Sequence, residues 1–163
     1  MKKVYFITGV TGFLGEEIMV LLSKNSDNRI YCMIRGNKSG TPDERLKKIC
    51  AESGISDTGS IIAMEGDLGS ENLGMDAETY ERLSSEVTHI IHSAADVRFN
   101  QTIEAIRKTN VGGTKNIVAF AKNCHSKNRE FSHLAYVGTC FVAGRRRGIA
   151  KEHDLTSKYG FKN

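Results

Sequence analysis

The strongest constraint on how this chain can fold lies in Val4-Tyr5-Phe6-Ile7-Thr8-Gly9-Val10-Thr11-Gly12-Phe13-Leu14-Gly15. The stretch starts as an apolar run of β-formers, turns on closely spaced glycines and becomes a helix. Leu14, Ile18, Leu21 and Leu22 recur at helical spacing, which predicts one apolar stripe turned inward. A strand entering a helix through such a turn aims free backbone N–H groups and the positive helix end at one point, where a diphosphate fits. In this reading Gly9 allows the sharp turn, Gly12 lets the backbone approach a phosphate, and Gly15 lets the helix press on the strand. The spacing is Thr-Gly-x-x-Gly-x-x-Gly, not the Gly-x-Gly-x-x-Gly of the common dinucleotide fingerprint. An ordinary tight βα turn is the rival explanation; the strand before and the amphipathic helix after favour a nucleotide.

The same alternation continues along the chain. Arg29 to Arg35 reads as a second buried strand, followed by a polar loop from Gly36 to Gly40 and a helix from about Asp43 to Ser53. Ser60 to Gly66 reads as a third strand, and a helix carrying Tyr80 and Leu83 leads to a fourth strand from Val87 to His92. Ile103, Ile106, Ile117, Val118 and Ala121 predict helical structure as far as about Cys124, with Gly112-Gly113 as a candidate interruption. Phe131 to Val137 is the fifth strand. Strands alternating with helices require parallel pairing through right-handed crossovers, hence an α/β, Rossmann-type doubly wound parallel sheet. Ligands of such sheets sit beyond the carboxyl ends of the strands.

At 163 residues one domain, spanning 1–163, is expected. Hydrophobic content of 39% and charged content of 26% are those of an ordinary water-soluble domain, and the single proline argues against linkers. The net charge of +4 comes from scattered residues, which argues against a nucleic-acid partner. Cys32, Cys50, Cys124 and Cys140 are widely spaced, as reduced thiols of a cytoplasmic protein would be. No signal-peptide pattern precedes the first strand, and no apolar run approaches the roughly 20 residues that span a bilayer.

Several residues at the predicted strand ends are candidates for a site. Arg35 stands where an NAD-binding chain usually carries an acidic residue for the ribose hydroxyls. A guanidinium can instead hold a 2′-phosphate through charge-assisted bonds, so NADP is favoured and NAD left open. Asp67, in Gly66-Asp67-Leu68, offers a carboxylate to an adenine amino group, or is a helix N-cap; Leu68 offers its amide or an apolar wall. Ser93-Ala94-Ala95 supplies small side chains where a cofactor could lie against bare backbone. His89 and His92 point to opposite faces of one strand and cannot share a metal, and His125, His133 and His153 form no ligand spacing. Arg145-Arg146-Arg147 is a solvated loop or an anion-docking patch.

Taken together, the motif from Thr8 to Gly15 resembles the glycine motif of the extended short-chain dehydrogenase/reductase superfamily. Cys32-Met33-Ile34-Arg35, His92-Ser93-Ala94-Ala95-Asp96-Val97-Arg98-Phe99 and Asn110-Val111-Gly112-Gly113-Thr114-Lys115-Asn116 resemble its thioester-reductase and fatty acyl-CoA reductase branch. The resemblance implies that Gly9, Thr11, Gly12, Phe13 and Leu14 line a pyrophosphate, Arg35 a 2′-phosphate, and Asp67 and Leu68 an adenine. It also implies that Ala94 and Ala95 touch the cofactor, that Asn110 sits near the nicotinamide, and that Thr139 bonds a substrate carbonyl oxygen. Thr139 is expected to end the fifth strand, and its rival reading is a turn threonine that binds local backbone. The implied substrate is an acyl thioester on coenzyme A or a carrier protein.

The family's Tyr-x-x-x-Lys pair is absent: Tyr159 is followed at that spacing by Asn163 and Tyr136 by Cys140. The expectation is therefore an N-terminal part of a longer reductase, inactive alone, truncated before the last strands and the substrate-binding portion. Its exposed sheet edge would then be open to association, including into a homo-oligomer. The rival readings are a nucleotide-sugar epimerase or dehydratase on the same scaffold, and a non-catalytic NADP-sensing or scaffold protein.

Overall fold

Strands form where β-formers run without a break: β1 (Val4–Thr8), β2 (Arg29–Ile34), β3 (Ile61–Glu65), β4 (His89–His92) and β5 (His133–Tyr136). In the computed structural model, which describes residues 2–56, 58–98, 100–153 and 160, they pair in parallel in the order β3-β2-β1-β4-β5. The chain winds outward from β1 to β3 and then returns to build β4 and β5 on the other side. This is the doubly wound Rossmann-type sheet, with its switch point between β1 and β4.

Alternation along each strand divides the core in two. Tyr5, Ile7, Ile30, Cys32 and Ile34 face α1 (Phe13–Ser23) and α2 (Pro42–Glu52). Phe6, Tyr31, Met33 and Ile90 face α3 (Ala77–Glu86) and the later α5 (Gly113–Lys127), where Phe120 packs 4.9 Å from the Phe6 ring. The one proline starts α2: Pro42 stands in its first turn behind Thr41, whose hydroxyl accepts from the Glu44 N–H while the Glu44 carboxylate accepts from the Thr41 N–H.

Three expectations are corrected by the structure. Leu14 and Leu21 are 46% and 66% exposed; the inward face of α1 is Gly15, Ile18, Met19 and Leu22. The cause is Gly15, where a Cβ would stand 2.1 Å from the Gly9 carbonyl oxygen, so the helix lies on the turn along that side and is rolled about its axis. Second, Gly112-Gly113 does not interrupt the long helix. A short α4 (Ile103–Ile106) passes through a π-helical turn at Arg107–Gly112 straight into α5. Gly113 serves packing instead, since a Cβ there would come 2.8 Å from the Leu68 Cβ. Third, Thr139 does not end β5, which stops at Tyr136; it begins the short 3₁₀ turn at Cys140–Ala143.

Register brings His89 beside His133, ring centroids 4.9 Å apart, while His92 lies on the other face of β4. Cys32, Cys50 and Cys124 are buried free thiols and Cys140 is an exposed one. Burial raises the pKa of all three buried thiols, to about 12 for Cys124. No helix among the described residues is long and apolar enough to cross a membrane.

Candidate functional site

The carboxyl ends of β1 to β4 open into a cleft of about 610 Å³ at the switch point. Gly9, Thr11, Gly12, Arg35, Asp67, Leu68, Ala94 and Ala95 all line it, so residues far apart in the chain meet where the topology places a ligand. Gly9 has φ +86°, and a Cβ there would come 2.7 Å from the Ala94 nitrogen and from the Ser93 hydroxyl. Its glycine is thus demanded by the fold. Gly12 is different: the nearest atom to a Cβ would be the Gly9 oxygen, 3.5 Å away. Nothing among the described residues excludes a side chain at Gly12, and the space left free belongs to the cleft.

Gly12 also begins α1 without any side-chain cap, so the first N–H groups of the helix are open to a ligand. Phe13 and Leu14 do not line the cleft with their side chains, and Phe13 is 86% exposed; what these residues bring is the uncapped backbone of the first turn. An uncapped helix end beside a glycine that keeps its space clear suits a diphosphate.

At one side of the cleft Arg35 is joined by Arg45, which sequence reasoning does not single out. The Arg45 guanidinium donates to the Arg35 carbonyl from α2 and lines the same wall. Its place in the second turn of that helix carries no local signal in the sequence. The capped start of α2 determines it. Two arginines on one wall can supply a donor set for a phosphate monoester.

Asp67 accepts from the Gly69 N–H and the Ser70 hydroxyl, both at 3.1 Å, which folds its loop back toward β3. An ionised carboxylate keeps acceptor sites beyond those two bonds. Asn116, from α5, fastens the same loop by donating to the Leu68 carbonyl at 2.7 Å and the Ser70 carbonyl at 3.0 Å. The loop closes through Asn72 and Leu73, both at positive φ, with Leu73 fully buried and its carbonyl accepting from the Asp67 N–H at 2.7 Å.

Asn110 does not line the cleft. Its amide accepts from the Asp96 N–H at 2.7 Å and donates to the Asp96 carbonyl at 2.9 Å, clamping the segment that follows Ala94 and Ala95. The Asp96 carboxylate is gripped in turn by Arg98 at 2.6 and 2.9 Å, and these bonds hold its pKa down at about 2. Arg98 and Lys108 line the cleft as further cations. Thr139 is exposed and stands outside the cleft, its oxygen accepting from the Phe141 N–H at 3.2 Å. Tyr159 and Asn163 lie outside the described residues. Among the described residues no three His, Cys, Asp or Glu side chains gather as a metal ion would need.

Known proteins resemble this chain in sequence and fold. Residues 7–159 match the family model described as male sterility protein, an NAD-binding family. A putative fatty acyl-CoA reductase of Drosophila melanogaster, CG8303, is 28% identical over 96% of this chain and 30% of its own length. The adenylate-forming reductase Nps9 of Serpula lacrymans is 30% identical over 93% of this chain and 14% of its own. Among solved structures, the terminal R domain from the myxalamid PKS-NRPS biosynthetic pathway superposes with a TM-score of 0.76 at 30% identity, covering 90% of this chain and 37% of that one. The chain thus spans well under half the length of each of these relatives. With the motif, the fold and the family model in agreement over nearly its whole length, the chain belongs to the NAD-binding male sterility protein family.

Proposed function

We propose that this chain is the NADP-binding portion of a reductase that passes hydride from NADPH to the carbonyl carbon of an acyl thioester. The thiolate of coenzyme A or of a carrier protein leaves, giving an aldehyde, and a second reduction gives an alcohol. The observation that carries the reading is the pairing, in one cleft, of an uncapped helix start at Gly12 with Arg35 and Arg45. The first suits the pyrophosphate and the second the 2′-phosphate that distinguishes NADP from NAD.

In this reading Asp67 accepts from the adenine amino group and Leu68 walls the ring, while Ala94 and Ala95 let the cofactor lie close to the end of β4. Asn110 acts through the Asp96 backbone and holds that segment in place on the nicotinamide side. The Thr139 hydroxyl can still donate its hydrogen to a substrate carbonyl oxygen, which would stabilise charge developing there. No Tyr-x-x-x-Lys pair occurs in the 163 residues, so the proton donor is assigned to a longer reductase and the chain alone is expected to bind cofactor without turnover.

The test is NADPH oxidation by the longer natural protein and by this chain, each offered acyl-CoA, a carrier-bound thioester and a nucleotide sugar. Thioester-dependent oxidation by the longer protein alone is the expected result. Conversion of the nucleotide sugar, with none of either thioester, would contradict the reading.

A further inference from the structure

His92 belongs to the motif at the end of β4, yet nothing in the cofactor reading uses it. It is 2% exposed, under the floor of the cleft rather than in it. Both ring nitrogens have partners. Nδ1 lies 2.7 Å from the Thr8 hydroxyl at the end of β1, and Nε2 lies 3.4 Å from the Thr114 hydroxyl on α5.

Proton counting selects one tautomer. The Thr114 hydroxyl donates to the Asn110 carbonyl at 2.6 Å, so toward His92 it can only accept, and Nε2 must carry the hydrogen. Nδ1 is then a bare acceptor and receives the Thr8 hydroxyl hydrogen. The Thr8 oxygen in turn accepts from the Ala94 N–H at 3.3 Å. The result is one directed chain: Ala94 N–H to Thr8, Thr8 to His92, His92 to Thr114, Thr114 to the Asn110 carbonyl. The opposite tautomer would leave the Thr8 hydrogen without an acceptor in a site where Thr8 is fully buried.

The two ends of this chain are the two supports of the Ala94–Asp96 segment. Ala94 is held through Thr8, and Asp96 through the Asn110 side chain. We propose that His92 is a positioning residue for the cofactor cleft: a neutral imidazole, hydrogenated on Nε2 only, that joins β1 to the π-helical turn and so fixes the shape of the Ala94–Asp96 wall. A second proton on Nδ1 would face the Thr8 hydroxyl, whose hydrogen would have to turn away without an acceptor, and the chain would break at that link. This inference rests on the reading of the cleft as a dinucleotide site.

Among the described residues the surroundings of His92 hold no countercharge for such a proton. β1 presents Thr8, α5 presents Thr114, and β5 presents Tyr136, whose ring centroid is 5.7 Å away. Burial lowers the His92 pKa, and no charged group among the described residues opposes it.

The experiment uses the chain itself with ¹⁵N-labelled histidine. Long-range proton–nitrogen correlation in the wild type is expected to show His92 with its hydrogen on Nε2, unchanged as pH falls from about 7.5 through the ordinary histidine value of about 6.5. A hydrogen on Nδ1, or titration near that ordinary value, would overturn the proposal. In parallel, the dissociation constant of NADPH is measured from pH 5 to 8 for wild type and for His92→Phe, which keeps the ring and removes both nitrogens. The variant is expected to bind about tenfold more weakly at neutral pH, the scale of a lost buried hydrogen bond. The wild type alone should weaken further once His92 protonates, the titration of the cofactor's own phosphate being common to both proteins. Equal affinity and identical pH profiles would overturn the proposal. Should the wild type bind neither NADPH nor NADH, the dinucleotide reading fails, and the tautomer together with the exchange rate of the Ala94 amide in wild type and variant still decides the positioning role.

Discussion

At the scale of single residues, the three glycines of the first turn have three separable duties. Gly15 is excluded from any other identity by the Gly9 carbonyl, 2.1 Å from its missing Cβ, whereas at Gly12 the protein leaves 3.5 Å. Gly15→Ala is therefore expected to lower the melting temperature, by overpacking that costs about 1–3 kcal/mol. Gly12→Ala should leave stability within about 0.5 kcal/mol of wild type yet weaken dinucleotide binding. Thermal denaturation and a binding titration on both variants check the contrast, and equal effects on the two readouts would refute it. Such duties are only partly legible in the sequence. The turn and its ligand class follow from glycine spacing, and Arg35 follows from its place at a strand end. Arg45 does not, and Asn116 and His92 stand in the quoted motifs without a role, because what each does depends on which elements the sheet order brings together. Asn110 belongs to a motif that marks the site, but its action through the Asp96 backbone is visible only in three dimensions.

At the scale of elements, strand and helix order is legible because unbroken apolar runs, buried on both faces, alternate with stretches of 3.6-residue periodicity. The roll of α1 is not, since Leu14 and Leu21 satisfy helical spacing as well as the residues that are buried; the backbone contact at Gly15 decides between them. The π-helical turn is likewise hidden, because Gly112-Gly113 reads as a break in any local pattern. The start of α2 offers a direct check. Thr41→Ala removes the hydroxyl that accepts from the Glu44 N–H and should cost about 1 kcal/mol, measured by denaturant unfolding. No change in midpoint would mean that the capping box contributes nothing. The β4 histidines make stability depend on pH. His89 and His92 both have pKa values lowered chiefly by burial, with His133 and Lys3 adding to the effect at His89. The unfolded chain takes up protons near pH 6.5 that the folded chain refuses, so stability should fall as pH drops below about 6.5 and level off below the folded values. Asp96, held at about 2 by Arg98, adds a second loss at more acid pH, as its carboxylate is protonated. Melting temperatures from pH 3 to 8 test this, and a flat curve between pH 5 and 7 would rule out the histidine part.

At the scale of the whole molecule, the sheet ends on two edge strands, β3 and β5. β5 pairs only with β4 among the described residues, and Tyr136 and Val137 are 60% and 39% exposed along it. An unprotected edge strand is a template for another chain. Self-association rising with concentration is expected in sedimentation, and Val137→Lys should reduce it; a monomer at all concentrations would contradict that expectation. The proposed reading assigns Arg35 and Arg45, on one wall, to the 2′-phosphate of NADP, and the most direct measurement is a pair of titrations, NADPH and NADH, on wild type and Arg35→Asp. The account predicts tighter binding of NADPH than of NADH by the wild type. In the variant, NADPH should lose about 2 kcal/mol, the scale of a charge-assisted contact, and NADH much less. Equal affinity for the two cofactors in the wild type, or an unchanged NADPH constant in Arg35→Asp, would contradict it.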